Sequence, residues 1–92
     1  MEEAMYAIYV MYSETIDRYY VGMSSDPSRR VERHNSQKKG WTRRGRPWRL
    51  VYHQRFADQS MALRAEKLIK SWKSRAMIEA LIHGCIDVWD YL

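Results

Sequence analysis

The sequence predicts an α/β protein of the α+β type, a three-stranded antiparallel sheet flanked by helices in the order β-β-α-β-α-α. Two tyrosine-rich apolar runs near the start are separated by a short polar segment, which is typical of a hairpin. A strong helix start follows, and then a third strand-like run and two helical segments. The length of 92 residues suits one small core, so we expect a single domain, 1–92.

The first two strands form the predicted hairpin. Met5 to Tyr12 is almost continuously apolar and aromatic, which predicts a strand buried on both faces and therefore central in the sheet. Because side chains alternate along a strand, Tyr9 and Met11 are expected on one face. Ser13 to Asp17 is predicted to be a polar turn, and Arg18 to Met23 the second strand.

A basic helix and a basic loop are predicted next. Asp26 stands directly before a proline, a pairing that caps and starts a helix. The predicted helix is Pro27–Gln37, and within it Arg30 and His34 are four residues apart and share one face. The segment Gln37–Pro47 is punctuated by glycines and a proline, so it is predicted to be a loop.

The third strand and the second helix follow that loop. Trp48–Phe56 alternates roughly between apolar and polar residues, which predicts a strand. The second helix starts after Asp58 or after Ser60, because either can cap it. Its apolar residues recur at helical spacing, and Glu66 borders that apolar stripe.

The last predicted helix is Arg75–His83, capped by Ser74 and ended by Gly84. The remaining tail, Cys85–Leu92, is apolar and acidic. It docks either on the domain or on a second copy, and its pattern favours neither. Cys85 is the one cysteine, so it makes no intrachain disulfide and is interpreted as a small apolar residue.

The positive charge is concentrated in one block. The net charge is +5, and the segment from Arg29 to Arg49 holds nine Lys or Arg residues and one acid, while the remainder holds seven basic and ten acidic residues. This block predicts a polyanionic partner, nucleic acid rather than membrane; a merely soluble basic face is the alternative. No apolar run could span a membrane and no secretory signal pattern stands at the start, so we expect a cytoplasmic protein without membrane contact.

The residues left for chemistry suit phosphate. No CxxC pair, HExxH or glycine-rich phosphate loop is present, which excludes the commonest zinc and nucleotide signatures. Arginine can stabilise phosphate oxygens, a carboxylate can hold Mg²⁺, and Tyr or His can move protons. Without further information, ordinary roles suffice: Tyr9 as a core tyrosine, Arg30 as a solvated helix residue, Glu66 as the ion-pair partner of Lys70.

A family resemblance sharpens this interpretation. The runs Ala7-Ile8-Tyr9 and Tyr20-Val21-Gly22, with their tyrosines eleven residues apart, resemble the paired motif of the GIY-YIG nuclease superfamily. The resemblance extends over residues 6–82, nearest to small stand-alone members and more distantly to the N-terminal nuclease domain of the bacterial excinuclease ABC. The family's site positions fall on Tyr9, Tyr20, Arg30, His34 and Glu66.

The resemblance implies a metal-dependent endonuclease that hydrolyses DNA phosphodiester bonds. It implies one Mg²⁺ or Mn²⁺ ion on Glu66 and neutralisation of the scissile phosphate by Arg30. Tyr9 or Tyr20 would deprotonate or orient the attacking water, with help from His34; the sequence does not say which tyrosine is the base. DNA repair or recombination is the setting that such an activity suggests. The alternative is a catalytically degenerate nucleic-acid-binding module on the same scaffold.

DNA is the expected partner, with RNA as an alternative, and a protein partner or a homodimer could confer specificity. Trp41 and Trp48 either stack on a base or pack in the core or loop. Two positions depart from the family pattern: Ala7 replaces the first glycine, and Met23 replaces a lysine found in excinuclease-type members. Backbone phosphates are expected to contact Lys38, Lys39, Arg43, Arg44 and Arg46.

Overall fold

The computed structural model describes residues 6–92 and confirms the predicted fold class and element order. Met5, which the sequence pattern included in the first strand, lies outside the described residues. The strands are β1 (Tyr6–Ser13), β2 (Arg18–Ser24) and β3 (Trp48–Phe56), and the helices are α1 (Pro27–Ser36), α2 (Gln59–Trp72) and α3 (Arg75–Ile82). Short 3₁₀ helices cover Trp41–Gly45 and Val88–Tyr91.

The first strand is central, as its apolar run predicted. The sheet order is β2-β1-β3, and β1 pairs antiparallel with both neighbours. Residues 7–11 of β1 are almost completely buried. Tyr9 lies opposite Gly22 of β2, and the register with β3 shifts between Val10 and Met11. This bulge locally increases the twist of the sheet.

The two faces of the sheet carry different cores. Ile8 and Val10 belong to a cluster that α2 and α3 cover. Tyr9 belongs to a second cluster, which contains Val31 of α1 and Trp48 of β3. Because alternate side chains of a strand point to opposite faces, β1 supplies both cores. Tyr9 therefore lies on the α1 side of the sheet.

Helix α1 begins where its capping pattern predicted. The Asp26 carboxylate accepts a hydrogen bond from the Arg29 amide at 3.1 Å, and Pro27 occupies the first helical position. The helix ends at Ser36, and Gln37, predicted as its last residue, is instead the C-cap with extended backbone. The cap fixes where the helix starts and hence which side chains face the sheet.

The segment predicted as a loop contains a 3₁₀ helix, Trp41–Gly45, so that prediction was incomplete. The Trp48 indole N–H donates to the Thr42 carbonyl at 2.6 Å, and the Ser13 hydroxyl donates to the Gly45 carbonyl. These bonds satisfy carbonyl groups that a loop would otherwise leave to water. They come from residues on β1 and β3, so no local pattern announces them.

Helices α2 and α3 form at the predicted positions. Asp58 caps α2 by accepting from the Ser60 amide at 2.8 Å, which decides between the two predicted starts. Lys73 has left-handed backbone geometry (φ 47°) at the end of α2, and the Ser74 side chain caps α3 as predicted. Helix α3 ends at Ile82, one residue before the predicted end.

The C-terminal tail docks on the domain, one of its two predicted placements. Val88 is fully buried in the core. Trp89 packs on Phe56 with ring centroids 4.9 Å apart, and Tyr91 packs on Trp72 at 5.5 Å. None of the helices within residues 6–92 has the length and apolar character to cross a membrane.

Candidate active site

A buried tyrosine–histidine pair lies at the centre of the site. Tyr9 is only 1% exposed and His34 7%, and the Tyr9 hydroxyl is 3.2 Å from Nε2 of His34. The space for this hydroxyl exists because Gly22 has no side chain. A Cβ at that position would lie 2.5 Å from the Tyr9 hydroxyl oxygen, closer than atoms can approach without displacement.

A hydrogen-bond chain sets the tautomer of the histidine. The Thr42 hydroxyl donates its one proton to Oε1 of Gln37 at 3.2 Å and lies 3.3 Å from Nδ1 of His34. Thr42 must therefore accept from His34, which places the ring proton on Nδ1. The free lone pair on Nε2 then accepts the proton of the Tyr9 hydroxyl.

The pKa shifts support the same proton positions. Burial raises the pKa of Tyr9 well above its usual value, Tyr20 and Glu66 add to the rise, and the charge of Arg30 opposes it. Burial, followed by the charge of Arg30, lowers the pKa of His34 below its usual value. At neutral pH, Tyr9 therefore carries its proton and His34 is uncharged.

Arg30 and Glu66 approach the pair from two different helices. Arg30 is exposed on α1, one turn before His34, and lines an open groove with other arginines of that helix. The Glu66 side chain, on α2, is 19% exposed and lies 3.6 Å from Lys70, the ion pair that the sequence suggested. Both charges act on the Tyr9 hydroxyl, with Glu66 the weakest of the four influences on its pKa.

Tyr20 is half-buried and links the pair to the surface. Its ring centroid is 6.3 Å from that of Tyr9 and 5.1 Å from that of His34. On another side it contacts Trp41, at 5.8 Å. The five residues that the sequence singled out therefore surround one location.

The predicted phosphate-contacting residues are exposed around the 3₁₀ helix. Arg46 differs from the others, because its guanidinium donates to the backbone carbonyls of Arg43 at 3.2 Å and Asn35 at 3.4 Å. Its charge also holds the loop, whereas one open surface with Trp41 is formed by Lys38, Lys39, Arg43 and Arg44.

Two polar residues that position the site escaped the sequence interpretation. Thr42 orients His34, as described above. Asn35 accepts from the Trp48 amide at 2.6 Å and donates to the Trp48 carbonyl at 2.8 Å, which ties the end of α1 to the start of β3. Both act through tertiary contacts, and a single polar residue within a basic segment gives no local signal of such a role.

The acidic donors near the site suit only one kind of metal site. Within residues 6–92, no group of three or more His, Cys, Asp or Glu side chains is placed to hold a metal ion. Glu66 offers one partly exposed carboxylate whose described ion-pair partner is a surface lysine. A single carboxylate completed by water is a common way of binding Mg²⁺, whereas zinc prefers several protein ligands.

The sheet, the buried tyrosine–histidine pair and the flanking guanidinium and carboxylate make up the arrangement expected of a small nuclease domain. A family model described as the GIY-YIG catalytic domain matches residues 5–79. The chain belongs to the GIY-YIG family, whose members are endonucleases that generally use a divalent metal ion.

Similar proteins bear the name UPF0213. The chain is 43% identical over 56 residues to a UPF0213 protein of Streptococcus pneumoniae serotype 4, and 36% identical over 70 residues to one of Desulfotalea psychrophila. The matches cover 60% and 71% of this chain but only 57% and 64% of those relatives. The solution structure of a UPF0213 protein from Bacillus halodurans is similar, with a TM-score of 0.55, 29% identity and coverage of 86% of this chain and 83% of that one.

Proposed function

We propose that this chain is a metal-dependent endonuclease that hydrolyses DNA phosphodiester bonds, with residues 1–92 as one nuclease domain. The observation that supports the proposal most is the buried hydrogen bond from Tyr9 to His34, with the charges of Arg30 and Glu66 acting on it. Family membership supports the reaction class.

Tyr9 and His34 supply the path for the proton of the attacking water. Because the pKa of Tyr9 is raised, a resting phenolate is unfavourable. The Tyr9 hydroxyl instead accepts a proton from water while its own proton passes to Nε2 of His34, 3.2 Å away. Tyr9 is therefore the proposed base, with His34 as the final proton acceptor.

Arg30 and Tyr20 bind the substrate phosphate. The exposed guanidinium of Arg30 carries a permanent positive charge in a planar fork that matches phosphate oxygens. Its position one turn before His34 places it on the same face of α1 as the proton acceptor. Tyr20, half-buried beside both Tyr9 and His34, orients the water or the phosphate through its hydroxyl.

Glu66 is the proposed ligand of one Mg²⁺ or Mn²⁺ ion. When bound, such an ion supplies Lewis-acid stabilisation of charge on the phosphate and the leaving oxygen. The Glu66 carboxylate is available because its described partner, Lys70, is a mainly exposed residue at 3.6 Å, and such pairs are weak. Water molecules would complete the ligand set.

DNA is the proposed substrate, with RNA as an alternative. The basic block around the 3₁₀ helix adjoins the site through the Tyr20–Trp41 contact, so a backbone bound there leads to the Tyr9–His34 pair. Contacts to phosphates carry no sequence information. Specificity therefore comes from the shape of the substrate, or from a protein partner or a second copy, and a role in DNA repair or recombination fits this.

A nicking assay on supercoiled plasmid tests the proposal. Wild-type protein should nick the plasmid with Mg²⁺ or Mn²⁺ and lose this activity with EDTA, and Glu66→Gln should reduce the rate by about 100-fold or more. The matched control is Glu79→Gln, another partly buried carboxylate, which bonds Tyr19 and Arg75 on α3. Equal nicking by wild type and Glu66→Gln, with salt-dependent DNA binding by both, would leave only a binding module.

A further inference from the structure

The two tryptophans near the site have different environments. Trp48 is 3% exposed and its indole N–H is used in the bond to the Thr42 carbonyl, so it is a core residue. Trp41 is 51% exposed, although it stands in the middle of a basic segment. A large aromatic surface left in water beside cations indicates a ligand-binding surface.

Trp41 is also held in a defined orientation. Its ring makes an edge contact with Trp48, with centroids 6.0 Å apart and planes at 86°, and a tilted contact with Tyr20 at 5.8 Å. It lies in the first turn of the 3₁₀ helix, whose carbonyls are bonded by Trp48 and Ser13. A rigid, half-exposed ring loses little conformational entropy when a flat ligand stacks on it.

The surroundings of Trp41 are cationic. The open surface that contains it is lined by Lys38, Lys39, Gly40, Arg43 and Arg44. Among the ion pairs found within residues 6–92, none involves these four cations. Exposed aromatic faces interleaved with free cations match single-stranded nucleic acid, in which bases stack on the rings and phosphates lie on the cations.

We infer that Trp41 is a stacking platform for an unpaired nucleotide, so that the proposed nuclease acts on DNA with a single-stranded portion beside the scissile phosphate. This rests on the function proposed above, because Tyr20 contacts both Trp41 and His34 and so connects the platform to the reacting groups. Bases within a duplex present their edges while their faces are stacked on neighbours. One stack on an indole does not repay the opening of a paired base, so ends, flaps and gaps are favoured over intact duplex.

The test is binding of the full chain in EDTA to two probes, an oligothymidine strand and a blunt duplex of the same length, followed by fluorescence anisotropy. Trp41→Ala should weaken binding to oligothymidine by about 5- to 100-fold and binding to duplex by much less. Trp89→Ala is the matched control, because Trp89 is 49% exposed and packs on Phe56. It should change neither affinity.

A conservative variant guards against misfolding. Trp41→Phe retains an aromatic face, and oligothymidine should quench the tryptophan fluorescence of wild type and of Trp89→Phe but far less that of Trp41→Phe. Equal losses on both probes, unchanged affinity of Trp41→Ala, unchanged quenching of Trp41→Phe, or no binding by wild type would each overturn the inference. Because EDTA prevents metal-dependent cleavage, failure of the nicking assay alone would refute the nuclease and leave this platform standing.

Discussion

At the scale of single residues, the site depends on a missing side chain. Gly22 lies opposite Tyr9 in the strand register, and the Tyr9 hydroxyl occupies the position next to it where another residue would place its Cβ. The hydroxyl can therefore reach Nε2 of His34. The glycine serves close packing here, since its backbone conformation is that of an ordinary strand.

Replacing this glycine should separate activity from DNA binding. In Gly22→Ala the new methyl group displaces the Tyr9 hydroxyl from His34, so the nicking rate should fall by about tenfold or more. Overpacking should lower the free energy of unfolding by about 1–3 kcal/mol. DNA affinity should hardly change, because no cation moves.

Nicking rates, anisotropy and urea denaturation check these three outcomes. Ser28→Ala, at an exposed position of α1, is the control and should behave as wild type. A Gly22→Ala protein that nicks plasmid at the wild-type rate would show that the Tyr9–His34 bond is not required.

At the scale of elements, two connections hold the site together. Asn35 bridges the end of α1 to the start of β3 through both hydrogen bonds with Trp48. At the opposite end of the sheet, Arg75 of α3 donates to Asp17 at 2.6 Å and lies over the Tyr19 ring, which fastens α3 to the hairpin turn. The first connection carries the basic segment, so it affects function more directly.

Asn35→Ala should destabilise the protein and loosen the basic segment. The Trp48 amide and carbonyl lose their partners, so the free energy of unfolding should fall by about 1–3 kcal/mol. Ser36→Ala is the neighbouring control: Ser36 is exposed and donates only to the Arg33 carbonyl, so a change within about 0.5 kcal/mol is expected. Urea denaturation of both variants measures the difference, and equal stabilities would contradict this role of Asn35.

At the scale of the whole molecule, charge is distributed unevenly. The basic block surrounds α1 and the 3₁₀ helix, whereas the tail on the far side of the core contributes Asp87 and Asp90. A polyanion is therefore attracted to the side that carries the Tyr9–His34 pair. This global field positions DNA without selecting a sequence.

Removing charges from the block should change the salt dependence of DNA binding. In the double variant Arg43→Ala and Arg44→Ala, the slope of log affinity against log salt should decrease by roughly 0.9 for each duplex phosphate that the protein no longer neutralises. The control pair is Arg64→Ala and Lys67→Ala, two exposed cations on α2 outside the block. A control pair that reduces the slope as strongly as the test pair would show that the block is not the DNA-binding surface.

Prediction from sequence succeeded where the information was local. Asp26 and Ser74 marked their helices because a cap is formed by residues within a few positions of each other. Strand β1 was correctly placed at the centre because burial on both faces requires a continuous apolar run. The 3₁₀ helix was missed because its carbonyls are bonded from β1 and β3.

The amino-acid sequence alone was sufficient for the fold class, the order of the elements and the positions of the five family residues, since these depend on periodicity, caps and spacing along the chain. Only the tertiary structure decided that Thr42 sets the tautomer of His34, that Gly22 makes room for Tyr9, and that Trp41 is exposed while Trp48 is buried. Each of these depends on residues from different elements meeting in space. Such a meeting is determined by how the sheet and helices pack, which no local pattern records.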